Sequence, residues 1–289
     1  MSDHSTDIAK NSYRYAPSVM SKLSFLPQSK PDLPYLRKTN GRSSITVSAL
    51  KGQWAYGSAP RMFLIYVRSL IKSGSECVDA QNHIVYLDKS YHAFCKSAGL
   101  PYVGSDKERV LGMVENLAST AVTLENWSLD GFKTVSSFLV AKSVGLNYGR
   151  DDAEKSYIEF SPEMWMLLTE SCVPLNPSIV ERLRNDALAL DVYQWLAFRA
   201  NRSGSALRLP WDALKAQFKY DGYPMREFKR KFRLALAKIK DAWPELKAQV
   251  DDDGMTVQPS VSSIGSHSAE NAGDARGTVT HTGTERNPF

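Results

Sequence analysis

LRLPWDALKAQFKYDGYPMREFKRKFRLALAKIKDAWPELKAQVDDDGMTVQ (207–258) reads, in order, as a strand stub, a helix, a turn, a second helix and a hairpin. Arg208 and Leu209 form the stub, and Pro210 starts a helix that runs to Phe218. Residues 219–224 (KYDGYP) carry turn chemistry, and Met225–Trp243 is a strong helix stopped by Pro244. Lys247–Val250 and Met255–Gln258 can pair around Asp253-Gly254. On the second helix, Phe228, Phe232, Ala235, Leu236, Ile239 and Trp243 fall in one apolar stripe roughly 100° wide. Arg226, Arg230 and Arg233 lie opposite, flanked by Lys229 and Lys240, with the small Ala237 among them. An arginine fork fits guanine O6 and N7, whereas lysine mainly attracts phosphate. Strand, helix, turn, helix, hairpin is the order of a winged helix, whose last helix enters the DNA major groove. The competing reading is a generic mixed domain with a solvated basic helix face.

Charge distribution weighs between the two. The chain has 289 residues and a net charge of +5. That total is a sum of unlike parts: residues 1–42 carry +4, 43–225 are neutral, and 226–240 carry +6 with Glu227 as the one acid. Residues 241–259 then carry −4 and 260–289 carry −1. Positive charge concentrated on one helix face is the footprint of a polyanion partner. The acids Asp251, Asp252 and Asp253 repel phosphate, so the hairpin tip is not expected to grip a DNA backbone.

Upstream, a similar grammar repeats. Pro60 opens an apolar helix that Gly74 ends, and His83–Leu87 is a short strand. Ser90 caps a helix over Tyr91–Ala98, and Asp106 can cap the next, with Val110, Met113, Val114 and Leu117 on one face. Ala121–Asn126 and Phe132–Ala141 flank the hairpin signal Asp130-Gly131; a strand, Tyr157–Phe160, and a helix with Pro162 follow. The third helix here is close to neutral, so dimerisation or phosphate positioning suits this block better. Lys107, Arg109, Lys133 and Arg150 are its candidates for backbone contact.

The ends differ in composition. Residues 1–44 are rich in Ser, Pro, Lys and Arg, with Pro17, Pro27, Pro31 and Pro34 breaking any helix, and read as an extended basic arm. Residues 261–289 are Ser, Gly, Thr and Asn with few apolar groups and read as disordered. No run approaches a membrane span, no apolar leader is present, and three spaced cysteines suit a reducing compartment, so cytoplasm is expected. Enzymatic motifs are missing: no phosphate-cradling G-x-x-x-x-G-K-[ST], no paired H-x-H for a nickase metal, no H-x-x-R of a tyrosine recombinase. Cys77, Cys95 and Cys172 lack zinc spacing, and His92 near Cys95 reads as a helix contact. Neither a metal nor a cofactor is expected.

YGSAPR (56–61) before an apolar helix resembles the "YG-x-x-PR" opening of RepA-type initiators of theta-replicating plasmids. The later segments resemble that family more closely: ALDVYQWL (189–196), PWDALKAQF (210–218) and FKRKF (228–232) follow its order and spacing. The resemblance implies an α+β, helix-rich chain of two tandem winged-helix domains, at 45–172 and 173–260, between the arm 1–44 and the tail 261–289. It implies binding of repeated sites (iterons) in double-stranded origin DNA, with opening energy drawn from binding and unwinding passed to the host initiator and replicative helicase. It also implies a homodimer, formed through the N-terminal domain, that can repress its own promoter. By position, the reading helix is Met225–Asp241, where Arg226, Lys229, Arg230 and Arg233 reach bases and Lys231, Lys238 and Lys240 attract the backbone. Trp211 and Phe218 become core residues, and Lys219-Tyr220-Asp221-Gly222 departs from the family's turn. A winged-helix repressor without a replication role is the alternative, and a DNA-processing enzyme a third reading.

Overall fold

The computed structural model describes residues 14–22, 24–87, 90–103, 106–147, 155–200, 205–219 and 223–264. The chain opens with β1 (Arg14–Pro17), α1 (Ser18–Lys22), β2 (Tyr35–Asn40) and β3 (Ser43–Ala49). Next come α2 (Ala59–Ser73), β4 (Val78–Asp79), β5 (Ile84–Tyr86), α3 (Tyr91–Ala98) and α4 (Lys107–Ala118). Strands β6 (Thr120–Trp127), β7 (Lys133–Leu139), β8 (Ala141–Gly145) and β9 (Tyr157–Phe160) lead to α5 (Pro162–Thr169) and β10 (Cys172–Leu175). The chain continues through α6 (Pro177–Leu183), α7 (Ala187–Ala200), β11 (Leu207–Pro210), α8 (Trp211–Phe218), α9 (Met225–Ala242), β12 (Ala248–Val250) and β13 (Gly254–Val257). The class is α+β, and every described strand pairing is antiparallel.

Local chemistry accounts for most boundaries. Gly74 takes φ 65° beyond α2 and returns its amide to Ile71 and Leu70 carbonyls, a conformation costly for any residue with a Cβ. The hydroxyls of Ser90 and Ser161 accept the amides of Ala93 and Met164, and the Asn176 side chain accepts that of Ser178. Asp106 does not cap α4 as expected; its carboxylate accepts from Arg109 at 2.7 Å instead. The Asp130-Gly131 turn does join β6 to β7, with Trp127 opposite Lys133.

The N-terminal segment corrects the sequence reading. From Arg14 it is a structural element; residues 1–13 and 23 lie outside the described chain. Strand β1 pairs with β10 from Arg14 opposite Leu175 to Pro17 opposite Cys172, and α1 packs on α7. Phe25 and Leu26 are buried, and the β2–β3 hairpin extends β6–β7 into a four-stranded sheet of order β2-β3-β6-β7. The prolines do not break every helix, since α1 starts directly after Pro17, and they leave strand pairing and apolar burial open. The tail departs in the same direction over its first residues. Val261 accepts from the Trp243 indole at 3.2 Å, and Ser263 bonds the Tyr193 hydroxyl at 3.1 Å. Residues 265–289 lie outside the described chain.

The expected boundary at 172/173 falls inside β10, and the buried residues on either side form one continuous core. At that junction Arg61 and Asp191 form an ion pair with side chains 0% and 2% exposed. The Arg61 Nε and Nη2 donate to the two Asp191 oxygens at 2.7 Å each. Its remaining N–H groups meet the carbonyls of Pro27 (3.0 Å), Gly57 (2.6 Å) and Leu26 (2.8 Å). Nearby Lys38 is buried, its Nζ donating to the carbonyls of Ser24 at 2.7 Å and Leu26 at 3.2 Å. Burial holds this ammonium down to about 7 from 10.5; Asp191 opposes the shift, while Arg61 and Lys219 add to it.

Two measurements check this arrangement. Replacing Arg61 or Asp191 singly by Ala leaves an unpaired buried charge, and urea denaturation should show a loss of about 3–5 kcal/mol. For Lys38, the folded chain releases its proton near pH 7 while the unfolded chain keeps it to about 10.5. Between those values unfolding takes up a proton, so rising pH stabilises the fold; below pH 7 both states are protonated and the slope vanishes. The stability of wild type relative to Lys38→Met should therefore be flat under acid conditions and rise through the alkaline window. Its slope should not exceed about 1.4 kcal/mol per pH unit.

Candidate nucleic-acid interface

Helix α9 is anchored by its apolar stripe: Phe228, Phe232, Ala235, Leu236 and Ile239 are buried, and Trp243 closes the end. Helix α8 supplies the facing aromatics. Trp211 meets Phe228 and Phe232 edge-on at 6.1 and 5.7 Å, and Phe218 lies 5.7 Å from Phe232. This places Trp211 and Phe218 in the core, and the aromatic contacts orient α9 by its buried side. Arg226, Arg230, Lys231, Arg233, Lys238 and Lys240 are exposed on the other side, with Lys229 partly so. Pro224, Arg226, Glu227, Arg230, Arg233 and Leu234 line an open groove of about 890 Å³ at the start of the helix.

Five of the seven cations, Lys229, Arg230, Lys231, Arg233 and Lys238, do not stand as free charges. Arg230 forks onto Glu227 (Nε–Oε2 3.0 Å, Nη2–Oε1 2.8 Å), and Lys231 lies 3.5 Å from the same carboxylate. The Arg230 hydrogen bond, chiefly, holds the Glu227 carboxyl down to about 2, so it is ionised throughout the working range. Lys231 is raised, first by its hydrogen bond with Tyr223. Lys238 pairs with Asp186 at 2.6 Å, and Asp186 also accepts the Ala189 amide at the start of α7. Arg226 and Lys240 make no ion pair with a described residue.

The hairpin loop supplies the remaining acids. Asp251 Oδ1 accepts the amides of Asp253 and Gly254 at 2.9 Å each, and its Oδ2 accepts from Arg208 at 2.9 Å. The Gly254 amide and Arg208 together lower the Asp251 pKa. A Cβ on Gly254 would sit 2.0 Å from the Leu209 carbonyl oxygen, so β11 and β13 can approach this closely only at glycine. Trp211 ties the loop to α8, its indole N–H donating to the Asp251 carbonyl at 3.1 Å. Across that ring lie Lys229 (5.3 Å) and Arg233 (5.1 Å), which also reach the carbonyls of Asp252 and Asp251. Arg233 is 3.6 Å from the Asp252 carboxylate, and Arg208 is 3.4 Å from that of Asp253.

The structure thus gathers Arg226, Lys229, Arg230 and Arg233 with Glu227 and the acidic loop at one end of α9. Lys238 and Lys240 lie one to two turns further along. Of the backbone candidates in the first block, Arg109 pairs with Asp106, and Lys133 pairs with Glu125 at 2.6 Å and lies over Trp127. Lys107 is at the first turn of α4, and Arg150 lies outside the described residues. Sequence reasoning missed Arg208 as a surface cation facing the loop. Its place in a strand stub between two partly buried leucines, Leu207 and Leu209, was the available signal. Among the described residues no group of His, Cys, Asp and Glu could hold a metal ion, and no helix is long and apolar enough to cross a membrane.

A family model described as "Plasmid encoded RepA protein" matches residues 54–213, more than half of the chain. That stretch contains Arg61, Asp191 and Trp211 and ends before α9. A solved structure of domains 2 and 3 of RctB, as its selenomethionine derivative, is similar with a TM-score of 0.53 at 11% identity. It covers 84% of this chain and 97% of that one. A second RctB domain 2–3 structure gives 0.48, also at 11% identity, covering 83% and 96%. At this identity the likeness concerns the fold. Comparison with curated proteins gives no match.

The acidic loop makes a direct prediction. Asp252→Asn together with Asp253→Asn removes two charges facing Arg233 and Arg208 while leaving Asp251 to hold the turn. The variant should elute from heparin at higher salt than wild type with an unchanged melting temperature.

Proposed function

Because this chain belongs to the plasmid-encoded RepA family of replication initiators, we propose that it binds repeated sites in double-stranded origin DNA by placing α9 in the major groove. The observation that carries this is the construction of α9: a helix locked by aromatics along one side and presenting Arg226, Arg230 and Arg233 around an open groove on the other. In this reading β11, α8, α9 and the β12–β13 hairpin form the C-terminal winged helix. The unit from α2 through the β6–β7 hairpin is its N-terminal counterpart. The sheet order β11-β13-β12 and the packing of α8 under α9 support that assignment. Lys231, Lys238 and Lys240 supply backbone attraction, and the acidic loop keeps the wing tip off the phosphates.

The N-terminal unit is proposed to form the homodimer. Among the described residues its sheet ends on β7, which pairs there only with β6, and around that hairpin Trp127, Leu129, Phe132, Val135 and Leu139 are exposed. A strand edge with apolar neighbours is suited to pairing with a second copy. Such a dimer would match a two-fold operator and so repress the initiator's own promoter. The protein is proposed to act without catalysis, in the cytoplasm. Binding at adjacent repeats bends the duplex and destabilises an AT-rich tract, and the host initiator and replicative helicase then take over.

Fluorescence anisotropy with a duplex carrying the repeats that flank the gene tests the central claim. Arg230→Ala should cost about 1–3 kcal/mol on that duplex and little on a scrambled one. Lys240→Ala should weaken both alike and flatten the salt dependence by about one unit of log–log slope. Equal loss on both duplexes for Arg230→Ala overturns the base-reading role. A chain that binds the repeats but fails to establish a plasmid carrying them is a repressor instead.

A further inference from the structure

Glu227 is the one acid between residues 226 and 240, and it sits in the wall of the groove that the arginines line. An acid in a first helical turn ordinarily serves the helix, through the macrodipole or by accepting the N-cap amide in a capping box. The second role is closed here. The N-cap residue is Pro224, which has no amide hydrogen, and the carboxylate turns instead to Arg230 and Lys231. Nor does the pair contribute much to stability, since both side chains are largely in solvent, at 39% and 59% exposure. On a surface meant for phosphates, an ionised carboxylate also lowers affinity for every duplex alike.

Such a group earns its place through discrimination. In the major groove cytosine presents only an amino donor, at N4, and a carboxylate is the side chain that accepts from it. The fork with Arg230 uses the Nε–H and one Nη2 proton, which leaves guanidinium donors free beside the carboxylate for guanine O6 and N7. We propose that Glu227 is a base-reading residue that selects a cytosine amino group, with Arg230 held beside it for a neighbouring guanine. The inference rests on α9 entering the major groove. Where the base offers an acceptor instead of the amine, the carboxylate meets it with repulsion, so wrong sequences are rejected as well as the right one accepted.

Selection of bound molecules from a randomised duplex library, using the full chain, tests this. Wild type should enrich cytosine at one fixed position next to a guanine whose enrichment vanishes in Arg230→Ala. Glu227→Ala should lose roughly tenfold or more of the discrimination at the cytosine position alone, while binding random duplex more tightly than wild type. Glu227→Gln should move that position towards adenine, whose N6 and N7 suit an amide. Unchanged cytosine preference in both variants, with melting temperatures matching wild type, overturns the proposal and leaves Glu227 a positioning residue for Arg230. A wild-type chain that enriches no position at all overturns the major-groove reading, and this proposal with it.

Discussion

A guanidinium enclosed by protein is tolerable only if every donor is met, and Arg61 meets that condition in full. Its five N–H groups make five hydrogen bonds: two to Asp191 and one each to the carbonyls of Leu26, Pro27 and Gly57. Those acceptors come from the N-terminal segment, from the turn before α2 and from the middle of α7. One side chain therefore holds together three parts of the chain that no local preference would assemble. The constraint passes outward through Gln28, whose amide donates to Asp191 at 3.3 Å and to the Phe218 carbonyl at 3.1 Å. Phe218 ends α8 and packs on Phe232, so the position of α9 depends, through two contacts, on the buried ion pair.

The pair is short of negative charge for its surroundings. Lys38 and Lys219 both lie close enough to feel Asp191 and Arg61, and burial holds Lys219 down to about 8. Of these groups only Asp191 is acidic. Lys219 also lies 4.4 Å from the Tyr223 ring centre, and Lys231 lies 5.8 Å from the same ring. The buried charge centre and the first turn of α9 are thus electrostatic neighbours. A change in protonation at Lys219 alters the field at Glu227 and Lys231.

Legibility in the sequence followed the range of the interaction. Helices α2, α8 and α9 and the hairpin β6–β7 could be read because proline, glycine and apolar spacing act within a few residues. The strand β1 could not, since its partner β10 lies about 160 residues away, as Arg14 opposite Leu175 shows. Proline and serine content made that segment look like an arm, because composition does not report which distant strand supplies the missing hydrogen bonds. Arg61 and Asp191 were each visible in a family-like motif, YGSAPR and ALDVYQWL, but nothing in either motif names the other. At the candidate interface the cations are legible from composition and helical spacing, whereas composition registers Glu227, Asp251 and Asp252 only as negative charge. Where a charge sits relative to its neighbours is a property of the fold.

That difference bears on how a basic surface can be selective. A helix with a six-charge excess and no internal partners would attract any polyanion, and its affinity would report salt more than sequence. Here the acids flank the arginines that face the groove: Glu227 beside Arg230 and Asp252 beside Arg233. On the proposed docking, a phosphate approaching either arginine would compete with a carboxylate already in place, which weakens non-specific binding at its source. A base edge that offers hydrogen bonds to both the arginine and the carboxylate suffers no such competition. On the proposed docking of α9, the same acids that reduce the net field would raise the contrast between right and wrong duplexes. The aromatic seat beneath α9 fixes the helix by its buried side and with it the placing of both groups.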